Sequence, residues 1–383
     1  MPLFRIPAVS MRGGTSKGVF FRGDDLPQDP ALVNRLLARV VGSPDPYGRQ
    51  IDGLGTGVSS TSKVVIVSRS EQPDCDVDYL FGHVDIASGT IDWSGNCGNL
   101  SAAVAPFAVL SGLVPAPEDG PLTLRIWQAN TEKAIVAQLE IEDGLPRQDG
   151  DFRLDGVPFS GSPVQLDFLD PAGGVAGKLF PTGQPVDRLE VPGIGALEVT
   201  LIDAGNPLVL ARAADLGLTG LETPNELNRN PTLLAGLEAV RSYAAVAMGL
   251  AESPLEASLE RPSVPKLAWV APPQDYRASD GEIVPAAAID CVARIVSMGK
   301  LHHAFTGTGT IGLAAAAALP GTIASEVLGE PITDRPLRFG HPSGINDIEV
   351  SIRKRGRQVS LQSARLVRSA RVLMNGEVWV SLD

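Results

Sequence analysis

The sequence predicts an α+β protein of two similar domains, each a β-sheet wrapped around one buried helix. Three observations carry this. Two Gly-rich loops, Gly95-Asn-Cys-Gly98 and Thr306-Gly-Thr-Gly-Thr310, each run straight into an Ala-rich apolar stretch. A helix that is apolar all round is buried, and small side chains let a sheet close tightly on it. The remainder alternates short strand-like runs with turns, and 383 residues suit two cores better than one. A boundary near residue 190 and a cleft faced by both helix N-termini are therefore expected.

The elements follow in order. Residues 1–70 read as strands and tight turns, with Val9 to Arg12 and Val19 to Phe21 as strands around the turn Gly13 to Gly18. Apolar residues at helical spacing predict a helix from Pro30 to Val41, stopped before Pro44. The loop Asp52 to Lys63 leads into the β-branched run Val64 to Val67. Past the helix that follows Cys97, Leu122 to Trp127 and Lys133 to Ala137 read as strands, and residues 145–185 as turns with strands between. In the second half, Leu197 to Ile202, Pro207 to Ala211 and Lys266 to Ala271 are strand-like. Leu233 to Leu250 is helical, and a further helix is expected from about Pro285 to Met298, enclosing Cys291.

Composition narrows the function. Hydrophobic residues make up 44% and charged residues 20%, an ordinary globular balance. The net charge of −12 argues against nucleic acid or an anionic membrane as partner. No apolar run is long enough to span a bilayer, and Met1 to Ile6 lacks the basic start and apolar core of a signal peptide. Cys75, Cys97 and Cys291 match no zinc spacing or disulfide framework, so a reducing cytoplasm is expected. His83, His302, His303 and His341 make no metal face, and neither a metal nor a cofactor is expected.

Cys97 is the leading candidate for chemistry. It lies at the N-terminus of a buried helix, where unpaired N–H groups and the positive dipole end attract anions and favour thiolate. Gly98 permits close backbone approach, and Asn96 and Asn99 supply amide donors. Lys63 follows four hydroxyl residues at the mouth of a buried strand, where lost solvation favours the neutral, basic amine. Arg12-Gly-Gly-Thr-Ser-Lys-Gly18 packs cations, hydroxyls and glycines into one turn suited to holding a carboxylate. Arg338 to Gly344 is a second such loop, in which His341 reads first as a structural histidine. The Gly53-x-Gly55-x-Gly57 loop is no phosphate loop, because no strand precedes it and no helix opens after it. A lysine base and a thiol in an anion-attracting site fit proton abstraction next to a carboxylate: racemisation, epimerisation, tautomerisation or double-bond migration, without a cofactor.

Long motifs then mark a resemblance. Arg12-Gly-Gly-Thr-Ser-Lys-Gly-Val-Phe-Phe21, Gly42-Ser-Pro-Asp-Pro-Tyr47, Ser59-Ser-Thr-Ser-Lys63, Val77-Asp-Tyr-Leu-Phe-Gly82, Asp92-Trp-Ser-Gly-Asn-Cys-Gly-Asn99, Ser297-Met-Gly-Lys-Leu-His-His303, Arg338-Phe-Gly-His-Pro-Ser-Gly344 and Arg368-Ser-Ala-Arg-Val-Leu-Met374 resemble the PrpF family in order. The resemblance implies the diaminopimelate epimerase-like fold, with domains 1–190 and 191–370 and a C-terminal strand (about 371–383) returning to the first. It implies 2-methylaconitate cis-trans isomerisation, with aconitate also accepted, in the methylcitrate route of propionate breakdown, with Lys63 and Cys97 in proton transfer. Diaminopimelate epimerase and proline racemase pair two cysteines, one per domain. Here the second loop has none, so an asymmetric Lys/Cys isomerase is implied.

On this reading a tricarboxylate is held by Asn96, Gly98 and Asn99 and by the loop Thr306, Gly307, Thr308, Gly309 and Thr310. Ser16 and Arg12 hold its third carboxylate, and Ser343 lies among the binding residues. Lys63 removes an allylic proton, and Cys97 or Lys63 returns one. A homodimer is expected. Two alternatives stand: 4-oxalomesaconate tautomerase, and a non-catalytic tricarboxylate-binding protein.

Overall fold

The structure, a computed structural model, describes residues 3–355 and 358–382. Met1, Pro2 and Asp383, which belong to the terminal segments read above, lie outside the described residues. The chain divides into two compact units, one running to Asp167 and resuming at Val367, the other Phe168–Leu366.

In the first unit, strands Leu3–Gly13 and Ser16–Arg22 form a hairpin closed at Gly13↔Ser16. The outer edge of Leu3–Gly13 pairs with the C-terminal strand Gln358–Ser381 from Ala370 onward. Ser16–Arg22 runs parallel to Lys63–Arg69, which pairs antiparallel with Val77–Val84, placing Lys63 opposite His83. Gly120–Gln128 and Lys133–Glu142 extend the sheet. One face carries helix Ser101–Leu110, buried at every residue but the last. Gly13 and Gly18 let that helix approach: a Cβ on Gly13 would lie 2.7 Å from the Asn99 carbonyl oxygen. The other face packs Val19, Phe21 and Val64 against helix Pro30–Val41, found at its expected limits. Asp29 caps that helix, and Gly42 ends it in the left-handed region.

The second unit repeats the scheme. Gly195–Ala204 pairs antiparallel with Asn206–Arg212, which runs parallel to Lys266–Ala271. Cys291–Ser297, Leu337–His341 and Gly344–Arg355 complete the sheet. Helix Gly307–Ala318, buried throughout, fills one face. On the other, helix Pro231–Ala247 joins Leu201, Val209 and Trp269 in one core. Truncating fully buried Trp269 to Ala would cost about 3–5 kcal/mol.

Two expectations are corrected. The helix expected over 285–298 is a single 3-10 turn, Ala286–Ala288, followed by the strand Cys291–Ser297. That strand is buried on both faces, so its continuous apolar run carries no period to separate it from a buried helix. Cys291 is in the core, and burial pushes its thiol up. The division falls at Asp167/Phe168 rather than near 190, because residues 171–179 are tied by backbone hydrogen bonds to Asp203 and Gly205 of the second unit.

Candidate active site

Lys63 opens its strand beside Gly18 of the parallel neighbour. Without a side chain at residue 18, the lysine stem can cross toward Ser16. An added methyl there would lie 2.9 Å from Leu100 Cδ1 and 3.5 Å from Lys63 Cβ. Lys63 Nζ donates to Ser16 Oγ at 2.9 Å and lies 3.3 Å from Cys97 Sγ. Lys63 is 5% exposed and Cys97 8%, so the amine and thiol meet almost out of water. The Phe81 ring centroid, 5.8 Å from Nζ, walls one side.

The loop before Lys63 is set by its neighbours. In Gly53-x-Gly55-x-Gly57 the N–H groups of Leu54 and Gly55 cap the carbonyls of Val40 and Val41, so the loop closes a helix C-terminus. Buried Gln50 donates to Ser43 Oγ and Ser62 Oγ and accepts from Gly57 N. His83, directly opposite both Lys63 and Asp92 in register, places Nε2 3.0 Å from the Ser59 carbonyl.

Cys97 is fixed through its carbonyl, which accepts from Ser101 N at 3.0 Å, Ser101 Oγ at 3.1 Å and Tyr79 Oη at 3.2 Å. Burial holds the Tyr79 hydroxyl well above its ordinary value, so it stays a donor. Asn99 donates to Thr15 Oγ1 and accepts from Arg368 Nε. Gly14, at φ 52°, leaves room for that amide. Asn96 is buried with Oδ1 3.5 Å from Ser101 Oγ. Among the described residues no protein group accepts from the N–H of Gly98 or Asn99. The loop thus presents backbone donors to an anion beside the Lys63–Cys97 contact, while the Asn99 side chain braces the loop.

Arg12 stands apart. Gly13 and Gly18 face helix Ser101–Leu110, and Ser16 faces Lys63, so alternation puts Arg12 and Lys17 on the opposite face. Arg12 Nη1 donates to the carbonyls of Gly14 and Ser369. Ser16 and Arg12, grouped on one carboxylate by the sequence, are not brought together.

The second unit shows a related helix N-terminus without a thiol. Thr306 caps helix Gly307–Ala318 by accepting from Gly309 N. Asn206 Nδ2 donates to Thr308 Oγ1 and Asn346 Nδ2 to Thr310 Oγ1. Ser343 Oγ donates to the His303 carbonyl, so its hydroxyl proton is engaged. His341 Nδ1 accepts from Ser343 N and His302 Nδ1 from Ala304 N, which puts the ring proton of each neutral imidazole on Nε2 and marks both as loop braces. Sequence reasoning missed Tyr79, Arg368, Asn206 and Asn346. The first two lie inside the quoted motifs, yet only pairing across strands reveals what they hold. Among the described residues no cluster of three or more His, Cys, Asp or Glu suits a metal ion, and no helix is long and apolar enough to cross a membrane.

A buried amine touching a thiol, with N–H donors for an anion, is equipped for C–H proton transfer beside a carboxylate. Comparison with known proteins points the same way. The PrpF protein family model matches residues 3–381. The 2-methyl-aconitate isomerase of Cupriavidus necator is 47% identical over 100% of this chain and 99% of its own length. That of Shewanella oneidensis is 47% identical over 99% and 98%. The 4-oxalomesaconate tautomerase of Pseudomonas putida is 37% identical over 99% and 97%. Among solved structures, a methylitaconate-delta-isomerase aligns at TM-score 0.76 and 40% identity, covering 99% of this chain and 96% of the other. A hydroxyproline epimerase from Agrobacterium vitis, at TM-score 0.56 and 12% identity over 99% and 93%, shares the fold alone, which is diaminopimelate epimerase-like. With the match running nearly from end to end, and with isomerases as its curated relatives, this chain belongs to the PrpF family and is an isomerase.

Proposed function

We propose that the enzyme converts 2-methyl-trans-aconitate to 2-methyl-cis-aconitate, and also turns over aconitate, by allylic proton transfer without a cofactor. The observation that carries this reading is the 3.3 Å contact between Lys63 Nζ and Cys97 Sγ beside the free N–H groups of Gly98 and Asn99. Neutral Lys63 takes a proton from the carbon allylic to the double bond. The electron pair moves into a dienolate whose carboxylate is held by the loop N–H groups. The former double bond, now single, rotates. Cys97 returns a proton to the allylic carbon and is reset by protonated Lys63, so atoms and charge balance over the cycle. Ser16 orients the amine, and its own hydroxyl proton is available to a substrate carboxylate. The loop Thr306 to Thr310 is proposed as a further carboxylate cradle. The same reading has the protein working in the cytoplasm as a homodimer, which light scattering after gel filtration would test.

Proton NMR in deuterium oxide tests the reaction. The expected result is the cis isomer from 2-methyl-trans-aconitate with deuterium at the allylic position. Conversion of 4-oxalomesaconate instead would transfer the same chemistry to the tautomerase reaction. Binding of either compound without turnover or exchange would leave only a tricarboxylate-binding protein.

A further inference from the structure

Lys17, Arg12 and Arg371 are directly opposite one another in three adjacent strands, through the pairs Arg12↔Lys17 and Arg12↔Arg371. Side chains opposite in register share a face and start about 5 Å apart, so the three stems leave the sheet within about 10 Å of one another, and the charge of Arg371 bears on Arg12. That face is the one turned away from Lys63 and Cys97. Like charges directly opposite destabilise a sheet. Elsewhere in the molecule arginines are matched: Arg22 with Asp24, Arg39 with Asp52, Arg335 with Asp290. The chain has 44 acidic residues against 32 lysines and arginines, yet among the described residues no carboxylate pairs with any of these three. Arg12 is half-buried and anchored through Nη1 to the carbonyls of Gly14 and Ser369. Ser369, two residues from Arg371 on the same face, has a buried hydroxyl with no partner among the described residues. Burial and then Arg371 lower the Arg12 guanidinium to about 10, the mark of a cation short of a counter-charge.

We propose that the Lys17–Arg12–Arg371 row is an anion-binding site, separate from Lys63 and Cys97, for a small multivalent anion carrying carboxylate or phosphate groups. Three cations in so short a row match a compact di- or trianion better than a single carboxylate, and an arginine fork takes two oxygens at once. A bound anion would relieve the like-charge repulsion and stiffen the hairpin whose inner face carries Ser16.

The test is isothermal titration calorimetry of the full chain with citrate and, separately, with inorganic phosphate, at about 0.01 M ionic strength where screening extends about 30 Å. The Lys17→Gln/Arg371→Gln double variant is expected to lose about tenfold in affinity at one anion site while kcat and KM stay unchanged. A response to phosphate but not citrate supports the site and identifies phosphate as its chemistry. Identical isotherms for the wild type and the variant would overturn the proposal. So would a parallel fall in kcat/KM, since the row would then belong to the substrate site. Should the double variant fail to fold, Arg371→Gln alone, at an exposed position, carries the same test. An inactive wild type would sink the isomerase reading and leave the anion isotherms readable.

Discussion

The two buried helices, Ser101–Leu110 and Gly307–Ala318, start alike and are equipped differently. Each is small-residue, apolar all round and enclosed by its own sheet, and each begins in a Gly-rich loop. The first loop brings a thiol within 3.3 Å of an amine. The second holds hydroxyls on Asn206 and Asn346, and no thiol. On the function proposed above, the first helix N-terminus supplies the proton-transfer pair, Lys63 and Cys97, and the second supplies hydroxyls for binding. The shared scaffold supplies the anion-attracting end, and on that proposal two side chains, Lys63 and Cys97, set the first end apart.

The largest test of that contrast is Lys63→Ala. Positioned acid–base groups contribute about 10²–10⁴ in rate, so kcat should fall about a thousandfold while KM changes little. The paired change in the second loop, Thr308→Val, should instead raise KM by up to about tenfold and leave kcat within about twofold, by losing the bond from Asn206. Equal losses of kcat in the two variants would erase the distinction. Next in size is Gly18→Ala, whose methyl would lie 2.9 Å from Leu100 Cδ1 and 3.2 Å from the Lys63 carbonyl oxygen, pressing on the backbone that carries the lysine. About a tenfold loss of kcat is expected, since misplacing a catalytic group by about 1 Å costs up to about a hundredfold. Full activity there would show that Lys63 need not cross residue 18. Tyr79→Phe, which keeps the ring and removes one donor from the Cys97 carbonyl, should lower kcat several-fold and slow alkylation of Cys97 with little change in Tm.

The smallest effect concerns stability. Burial alone would raise the carboxyl of Glu222, but hydrogen bonds from Thr219 and from Trp269 outweigh it and hold the group below its ordinary 4.5. A depressed carboxyl stabilises the fold above the unfolded value and loses that contribution as pH falls through the folded one. Amide exchange in Lys266–Ala271 of the second unit, measured relative to its intrinsic rate at each pH, should therefore quicken below about pH 4.5 in the wild type. In Glu222→Gln it should already be faster at neutral pH and show less of this pH dependence. Exchange equally acid-sensitive in both proteins would remove Glu222 as the cause.

Much of this was legible in the sequence, and for local reasons. Helix Pro30–Val41 has a period, a proline start and a glycine stop. The Ala-rich runs could only be enclosed helices, and Cys97 among glycines and asparagines stood out by composition. What failed locally was Cys291–Ser297, because a strand buried on both faces has no period to read. Pairing lay beyond the sequence altogether. Lys63 and Cys97 are 34 residues apart, and their contact depends on a parallel register that sets side-chain-free Gly18 beside the lysine. Register also parted Arg12 from Ser16. Four positions apart on a helix would be one face, but around a two-residue hairpin turn the pleat sends them to opposite faces. The sequence by itself determined which residues had the chemistry and which segments would be buried, since composition and period act over a few residues. Only the tertiary structure decided which of those residues meet, because strand register is set by contacts across the whole sheet.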